Sequence, residues 1–464
     1  MSKPLLYYST NLKAPAVSFK EALLKGLAPD GGLYMPERLP FMEKDSLTSL
    51  SGKSYYEIAF TVLKQYLADE IPDEVLLAMV KDAYSFEVPL EPVYERKYLM
   101  RLDQGPTASF KDFAARMMGR LMQYFLHREN RDMLILTATS GDTGSAIANA
   151  FYGLENISVV VLFPEKEVTE RQRKQMTTLG RNVRIIGIEG KFDDCQAMVK
   201  KAFSDPGLDF LNLSSANSIN IGRLIPQSFY YFYAWSRLKK QDGETIIFSV
   251  PSGNFGDLMG GLIAQHMGLP VKKFVVSTNE NDEVPVYFLT GKYKTIIPSK
   301  DCISSAMNVG HPSNMARIIA LYGGMMNEHG VIIKDPDTYR MKKDMYCISI
   351  SDRHTKDTMK SVYERHSVLL EPHGAVGWAG LHEYCKAFPG DTPSSQLAVC
   401  LETAHPAKFP AEITELLGLD PPLPASMQGL DQKTESWESM KSDYNLFKTY
   451  LLDKFSGRSD FSKL

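Results

Sequence analysis

Short apolar runs alternate with helical patterns through the middle of this chain, and that alternation restricts the fold more than any other feature. Residues 133–138 form an apolar run, and a helical pattern follows over 145–151. Residues 157–163 form the next apolar run, followed by a polar helical stretch at 169–179. The unit repeats at 183–187 with 193–203, and again at 245–250 with 258–267, before a run at 274–277. Residues 345–350 and 397–400 read as two further strands. Continuous apolar strands separated by helices predict an α/β fold of mostly parallel sheets covered on both faces. The 464 residues suffice for two or three domains with a large core.

The first ninety residues look different. Helical patterns at 20–26, 55–67 and 74–84 predict a mainly helical N-terminal domain, with Pro89 and Pro92 marking its end. Pro421, Pro422 and Pro424 break the chain near its other end, and 433–455 reads as a polar helix. The expected division is therefore 1–90, a core at 91–425 with a smaller lobe at about 112–238, and a helical tail at 426–464.

Composition excludes several function classes. A net charge of −3 gives no global field for nucleic acid or an acidic membrane. No stretch approaches the ~20 apolar residues of a membrane span. The five cysteines are far apart, with no Cys-x-x-Cys pair, which argues against a zinc site or a disulfide framework and for a reducing compartment, the cytoplasm. Gly52-Lys53-Ser54 resembles the end of a P-loop, but Leu47 stands where its first glycine belongs. No Gly-x-Gly-x-x-Gly follows an expected strand.

Four segments carry candidate chemistry. Gly105-Pro-Thr-Ala-Ser-Phe-Lys-Asp112 precedes a run in which Phe113, Met117, Leu121 and Phe125 recur at helical spacing. Lys111 thus falls in or near a first helical turn, where the helix field repels a cation and favours the neutral, nucleophilic amine. A solvated surface lysine is the alternative. Thr139-Ser-Gly-Asp-Thr-Gly144 and Pro251-Ser-Gly-Asn-Phe-Gly-Asp257 each join a strand to a helix. Such loops suit a phosphate or carboxylate, or serve only close packing. Two at the carboxyl ends of parallel strands reinforce each other as a ligand site. Ser214–Arg223 offers hydroxyls, amides and one arginine fork, or a capped surface loop. Glu402-Thr-Ala-His-Pro-Ala-Lys-Phe409 follows the last strand; Thr403 can face a ligand or cap a turn, and His405 reads as structural.

Taken in order, these motifs resemble those of the threonine synthase family, as do Asn217-Ser-Ile-Asn220 and Ala28-Pro-Asp-Gly-Gly-Leu-Tyr34. The resemblance spans residues 18 to about 409. It implies the two parallel-sheet lobes of fold-type II pyridoxal-phosphate enzymes, tryptophan synthase β-like, with an extra N-terminal domain. It implies that Lys111 holds pyridoxal 5'-phosphate as a Schiff base and is the catalytic residue. Gly253, Asn254, Phe255, Gly256 and Asp257 match the loop that grips the cofactor phosphate, Thr403 the residue facing the pyridine nitrogen, and Asp142 a position near the phenolic oxygen. An ionised acid beside a phenolate is repelled, so Asp142 is expected to be protonated or turned toward backbone N–H groups. Thr139, Ser140, Thr143, Ser218 and Arg223 match positions that hold the substrate's carboxylate and phosphate.

The implied reaction converts O-phospho-L-homoserine and water to L-threonine and phosphate, in a monomer with no metal, nucleic-acid or membrane partner. One departure stands out: Asp103 and Gln104 replace the aromatic-His pair common in the family. It leaves room for a pyridoxal-phosphate-dependent elimination that yields an oxo acid and ammonia. A catalytically silent binding homologue is the rival from outside enzymes.

Overall fold

The computed structural model describes residues 4–67, 70–139 and 141–455. Near the N-terminus, β1 (Tyr7–Ser9) and β2 (Tyr34–Pro36) pair antiparallel. They frame α1 (Phe19–Lys25), which Ser18 caps by accepting the Glu21 N–H. Two longer helices follow, α2 (Tyr55–Leu67) and α3 (Asp73–Ala83). The Tyr55 ring meets Tyr84, Phe113 and Tyr233, with centroids 5.1–5.4 Å apart. This aromatic knot fastens the helical N-terminal region to the α/β core.

The core begins with a hairpin, β3 (Leu90–Tyr94) and β4 (Lys97–Arg101). Pro92, expected to mark a boundary, lies within β3, an edge strand where a missing N–H is tolerated. Next comes α4 (Lys111–Glu129), whose predicted stripe Phe113, Met117, Leu121 and Phe125 is buried. The smaller lobe alternates β5 (Met133–Ala138), α5 (Asp142–Phe151), β6 (Ile157–Pro164), α6 (Glu170–Thr177), β7 (Val183–Glu189) and the short β8 (Leu213–Ser214). Strands β5 and β6 are buried at every position, which explains their continuous apolar sequence. The larger lobe adds β9 (Ile246–Pro251), α7 (Gly256–His266), β10 (Val271–Thr278), α8 (Met315–Leu321), β11 (Met345–Ser349), α9 (Pro372–Ala387) and β12 (Leu397–Glu402). Its sheet runs β11-β10-β9-β12-β4-β3, parallel except for the β3 edge.

The C-terminal segment corrects the expected helical tail. Residues Glu438–Lys441 form β13, which joins the smaller lobe's sheet parallel to β7 in the order β13-β7-β6-β5-β8. Among the described residues of this segment, 3-10 turns at Ala425–Met427 and Leu430–Gln432 precede one α-helix, α10 (Tyr444–Phe455), which buries Phe447, Leu451 and Phe455 against the lobe. The Trp437 ring covers Gly187, where any Cβ would collide with it, and meets Phe163 at 5.6 Å. Arg173 grips Glu435 with two hydrogen bonds of 2.9 Å. Strand pairing with a partner some 250 residues earlier leaves no local mark in the sequence Glu-Ser-Met-Lys. Among the described residues, no helix is long and apolar enough to cross a membrane.

Candidate active site between the two lobes

Lys111 is the first residue of α4, and the loop before it is tightly specified. The Asp112 carboxylate accepts the Thr107 N–H at 2.8 Å and the Thr107 hydroxyl at 2.6 Å. That turn needs Gly105, because a Cβ there would run into the same carboxylate. The Phe110 N–H donates to the Thr403 carbonyl at 2.9 Å, and the His405 N–H to the Ala108 carbonyl at 3.0 Å. The lysine loop is thereby zipped to the loop that leaves β12, which sets the start of α4 beside that loop. The Lys111 amine sits 4.9 Å from the centroid of the Phe110 ring. Burial drives it below the usual lysine range; Asp142 opposes that shift, while Lys408 and Arg223 reinforce it.

The first cradle forms at the end of β5. Thr139 Oγ accepts the N–H groups of Gly141 at 2.9 Å and Gly144 at 2.7 Å, so this hydroxyl caps the first turn of α5. Thr143 is half-buried beside it, and Ser140 lies outside the described residues. Asp142 is buried, and its carboxylate meets side chains, not the backbone N–H groups that were one of the two expectations. Its Oδ1 pairs with Lys408 Nζ at 2.8 Å and accepts from Gln172 Nε2 at 3.0 Å. Burial alone would raise this carboxyl, but Lys408, then Lys111, hold it well below the usual carboxylate range.

The second cradle joins β9 to α7. Phe255 takes a left-handed conformation (φ 59°), and no side chain caps the helix start behind it. The first-turn N–H groups of α7 therefore open toward an anion. A Cβ at Gly253 would stand 2.9 Å from the Ala306 carbonyl oxygen and Met307 Cα, which keeps this loop closely applied to its neighbour. Asn254 is exposed, and its carbonyl accepts from Asn314 Nδ2 at 3.0 Å. The Asp257 side chain turns inward, taking the Tyr230 and Tyr231 hydroxyls at 2.6 and 2.7 Å. Burial still raises it to about 6. Its side chain is thus turned to the tyrosines and away from the anion end of the loop.

Arg223 is 2% exposed and donates from Nη1 to the Ala216 carbonyl at 2.7 Å. Its Nε is buried without a hydrogen-bond partner among the described residues, and burial lowers the guanidinium to about 10. A buried guanidinium with a donor to spare is a ready anion receptor. Ser218 lies in the same loop, its carbonyl accepting from Arg317 Nη1 at 3.0 Å. Thr403 closes the site: its hydroxyl donates to Glu371 Oε1 at 3.4 Å. Glu371 caps α9 through the His373 and Gly374 N–H groups at 2.7 and 2.9 Å. Asp103, the first residue of the departure noted in the sequence, is buried against Arg101 at 3.2 Å, and the exposed Gln104 donates to it at 2.7 Å.

An aldehyde-bearing ring with a phosphate tail fits this set. The amine of Lys111 suits the aldehyde, the uncapped N-terminus of α7 the phosphate, and the Thr403 hydroxyl the ring nitrogen. Three participants escaped the sequence reading. Lys408 is wholly buried between lobes; its only trace was an apolar setting, Ala407 and Phe409. Glu371, just before Pro372, carried the signal of a helix start. Arg317, fully buried, donates to the carbonyls of Tyr34, Ser218 and Ile219, and nothing local marks such long-range contacts.

Three family models cover the chain: threonine synthase N terminus at residues 6–84, pyridoxal-phosphate dependent enzyme at 90–400, and threonine synthase C-terminal at 375–451. The threonine synthase of Haemophilus influenzae is 40% identical, over 95% of this chain and 99% of that one. The Escherichia coli K12 threonine synthase is 37% identical, over 89% and 91%. A crystal structure of pyridoxal-phosphate-bound threonine synthase from Brucella melitensis superimposes with a TM-score of 0.89 at 34% identity, covering 99% and 100% of the two chains. That of yeast threonine synthase gives 0.89 at 31%, covering 98% and 99%.

Proposed function

Because the chain belongs to the threonine synthase family, we propose that it converts O-phospho-L-homoserine and water to L-threonine and phosphate. It is a pyridoxal-phosphate-dependent enzyme. The carrying observation is Lys111: an amine driven toward neutrality at a helix start, on a loop bonded to the Thr403 carbonyl and within the field of Asp257 in the first turn of the uncapped α7. Bound pyridoxal phosphate supplies an aldehyde for an amino group and a ring that takes up electrons released at carbon. Gly253 to Asp257 hold its phosphate through backbone N–H groups, and Thr403 meets its ring nitrogen. Lys111 Nζ, once free and neutral, takes the proton from substrate Cα and later returns one there. Across the reaction the Cγ–O bond to phosphate breaks, a proton leaves Cβ and one is added at Cγ, which becomes the methyl group, and water gives its hydroxyl to Cβ and a proton to the medium.

Arg223, Ser218 and Thr143 receive the substrate's anionic ends. The spare Arg223 Nε–H supports that assignment, since an anion would satisfy it. Thr139 acts one step back, because its oxygen already holds two N–H groups of the cradle. Five cysteines, none in a disulfide, support a reducing cell interior as the place of work.

Incubation of the purified protein with phosphohomoserine tests this reading. Threonine and phosphate in equal amounts are expected. An oxo acid with ammonia, or no turnover after pyridoxal phosphate is supplied, would refute it.

A further inference from the structure

Lys408 has no part in the assignments above, yet its side chain is fully buried, which is rare for lysine. The Pro406–Lys408 turn carries it inward, and His405 Nδ1 caps that turn by accepting the Ala407 N–H at 3.1 Å. From there Nζ donates to the Thr107 carbonyl at 2.6 Å, in the loop that presents Lys111. It also pairs at 2.8 Å with Asp142, which belongs to the other lobe. Five charged groups surround the Lys111 amine. Asp142 comes from α5, Arg223 from the loop after β8, Asp257 from α7, Glu371 from the start of α9 and Lys408 from the loop after β12. Asp142 is the strongest of these in favouring a proton on Lys111. An acid left without a cation at this depth, with the Gln172 amide as its remaining donor, would recruit the nearest proton-bearing amine as its counter-ion.

We propose that Lys408 is a positioning residue: it engages the Asp142 carboxylate so that Lys111 does not, leaving the Lys111 amine neutral and free to attack an aldehyde. The proposal rests on the assignment of Lys111 as the cofactor lysine. It explains how an aspartate is tolerated in this site while ionised. The ion pair joins the two lobes across the site, so the same contact ties lobe position to amine reactivity.

The test reads Lys111 directly. Full-length protein free of cofactor is labelled with trace acetic anhydride across a pH series, and the Lys111 peptide is quantified by mass spectrometry. Lys408→Met should move the labelling midpoint upward by about one pH unit, leaving ~tenfold less neutral amine at a given pH below it. Asp142→Asn should lower the midpoint, and the double variant should return it close to that of the wild type. Lys408→Arg, which keeps the charge, should leave it in place. An unmoved or lowered midpoint in Lys408→Met, or an upward shift that persists in the double variant, would overturn the proposal. Should Lys408→Met fail to fold, Asp142→Asn decides alone, and an unmoved midpoint there is equally fatal. The label needs no cofactor, so a protein that takes up no pyridoxal phosphate refutes the functional reading without altering these midpoints.

Discussion

At the residue scale, the site is governed by charge taken out of water. Lys111 was legible because a turn of small residues ahead of an apolar helical stripe fixes where the helix starts. Its neutrality was only half legible: the helix field could be argued from the sequence, but the burial and the Asp142–Lys408 pair could not. Asp142 shows why. Whether a buried acid ionises depends on partners brought from 30 and 266 positions away, here Gln172 and Lys408. Asp257 is the opposite case, a carboxyl raised by burial to about 6 against two tyrosine hydroxyls. Its unfolded value lies near 3.9, so the folded state binds more protons between those values and loses stability as pH rises through them. Asp257→Asn keeps an acceptor for the tyrosines and removes the charge. Denaturant titrations should show the variant gaining on the wild type by on the order of 1–2 kcal/mol between pH 4 and pH 7. A constant difference across that range would contradict the burial argument.

At the element scale, the central parallel strands were the most legible part, because both faces of such a sheet are covered and their positions are mostly apolar. Helix ends were legible where caps are local, as at Thr169, which forms a capping box with Gln172 ahead of α6. The turn after β12 was harder. His405 reads as structural in the sequence and caps the Pro406–Lys408 turn in the fold. Burial, with Arg101 and Lys408 nearby, holds its imidazole down at about 4. Its folded value lies below the unfolded one, near 6.5, so its contribution to stability is complete above pH 6.5 and is lost as pH falls toward 4. His405→Asn, which retains a capping oxygen, should flatten the dependence of Tm on pH over that interval. An unchanged slope would assign the dependence to other groups.

At the scale of the whole molecule, the two lobes, the N-terminal region and the C-terminal segment meet through contacts that no local pattern announces. Arg317 ties β2 to the Ser218 loop, and Asn220 Nδ2 donates to the Leu23 carbonyl at 2.8 Å, so the N-terminal region steadies the loop that carries Arg223. The alternation of strand and helix announced two lobes of parallel sheet, but it could not show that the last strand of the smaller lobe comes from residues 438–441. Trp437 anchors that return. Trp437→Ala should cost about 3 kcal/mol. It should also speed proteolysis beyond residue 425, read by limited digestion; digestion at the wild-type rate would show that the segment is held by other means.

The central claim concerns one bond, and it can be read without turnover. The protein is mixed with pyridoxal phosphate, reduced with borohydride and digested, and its peptides are mapped by mass spectrometry. A pyridoxyl group on Lys111, absent from Lys111→Ala, is the predicted result. A label on any other lysine, with Lys111 unmodified, would contradict the account.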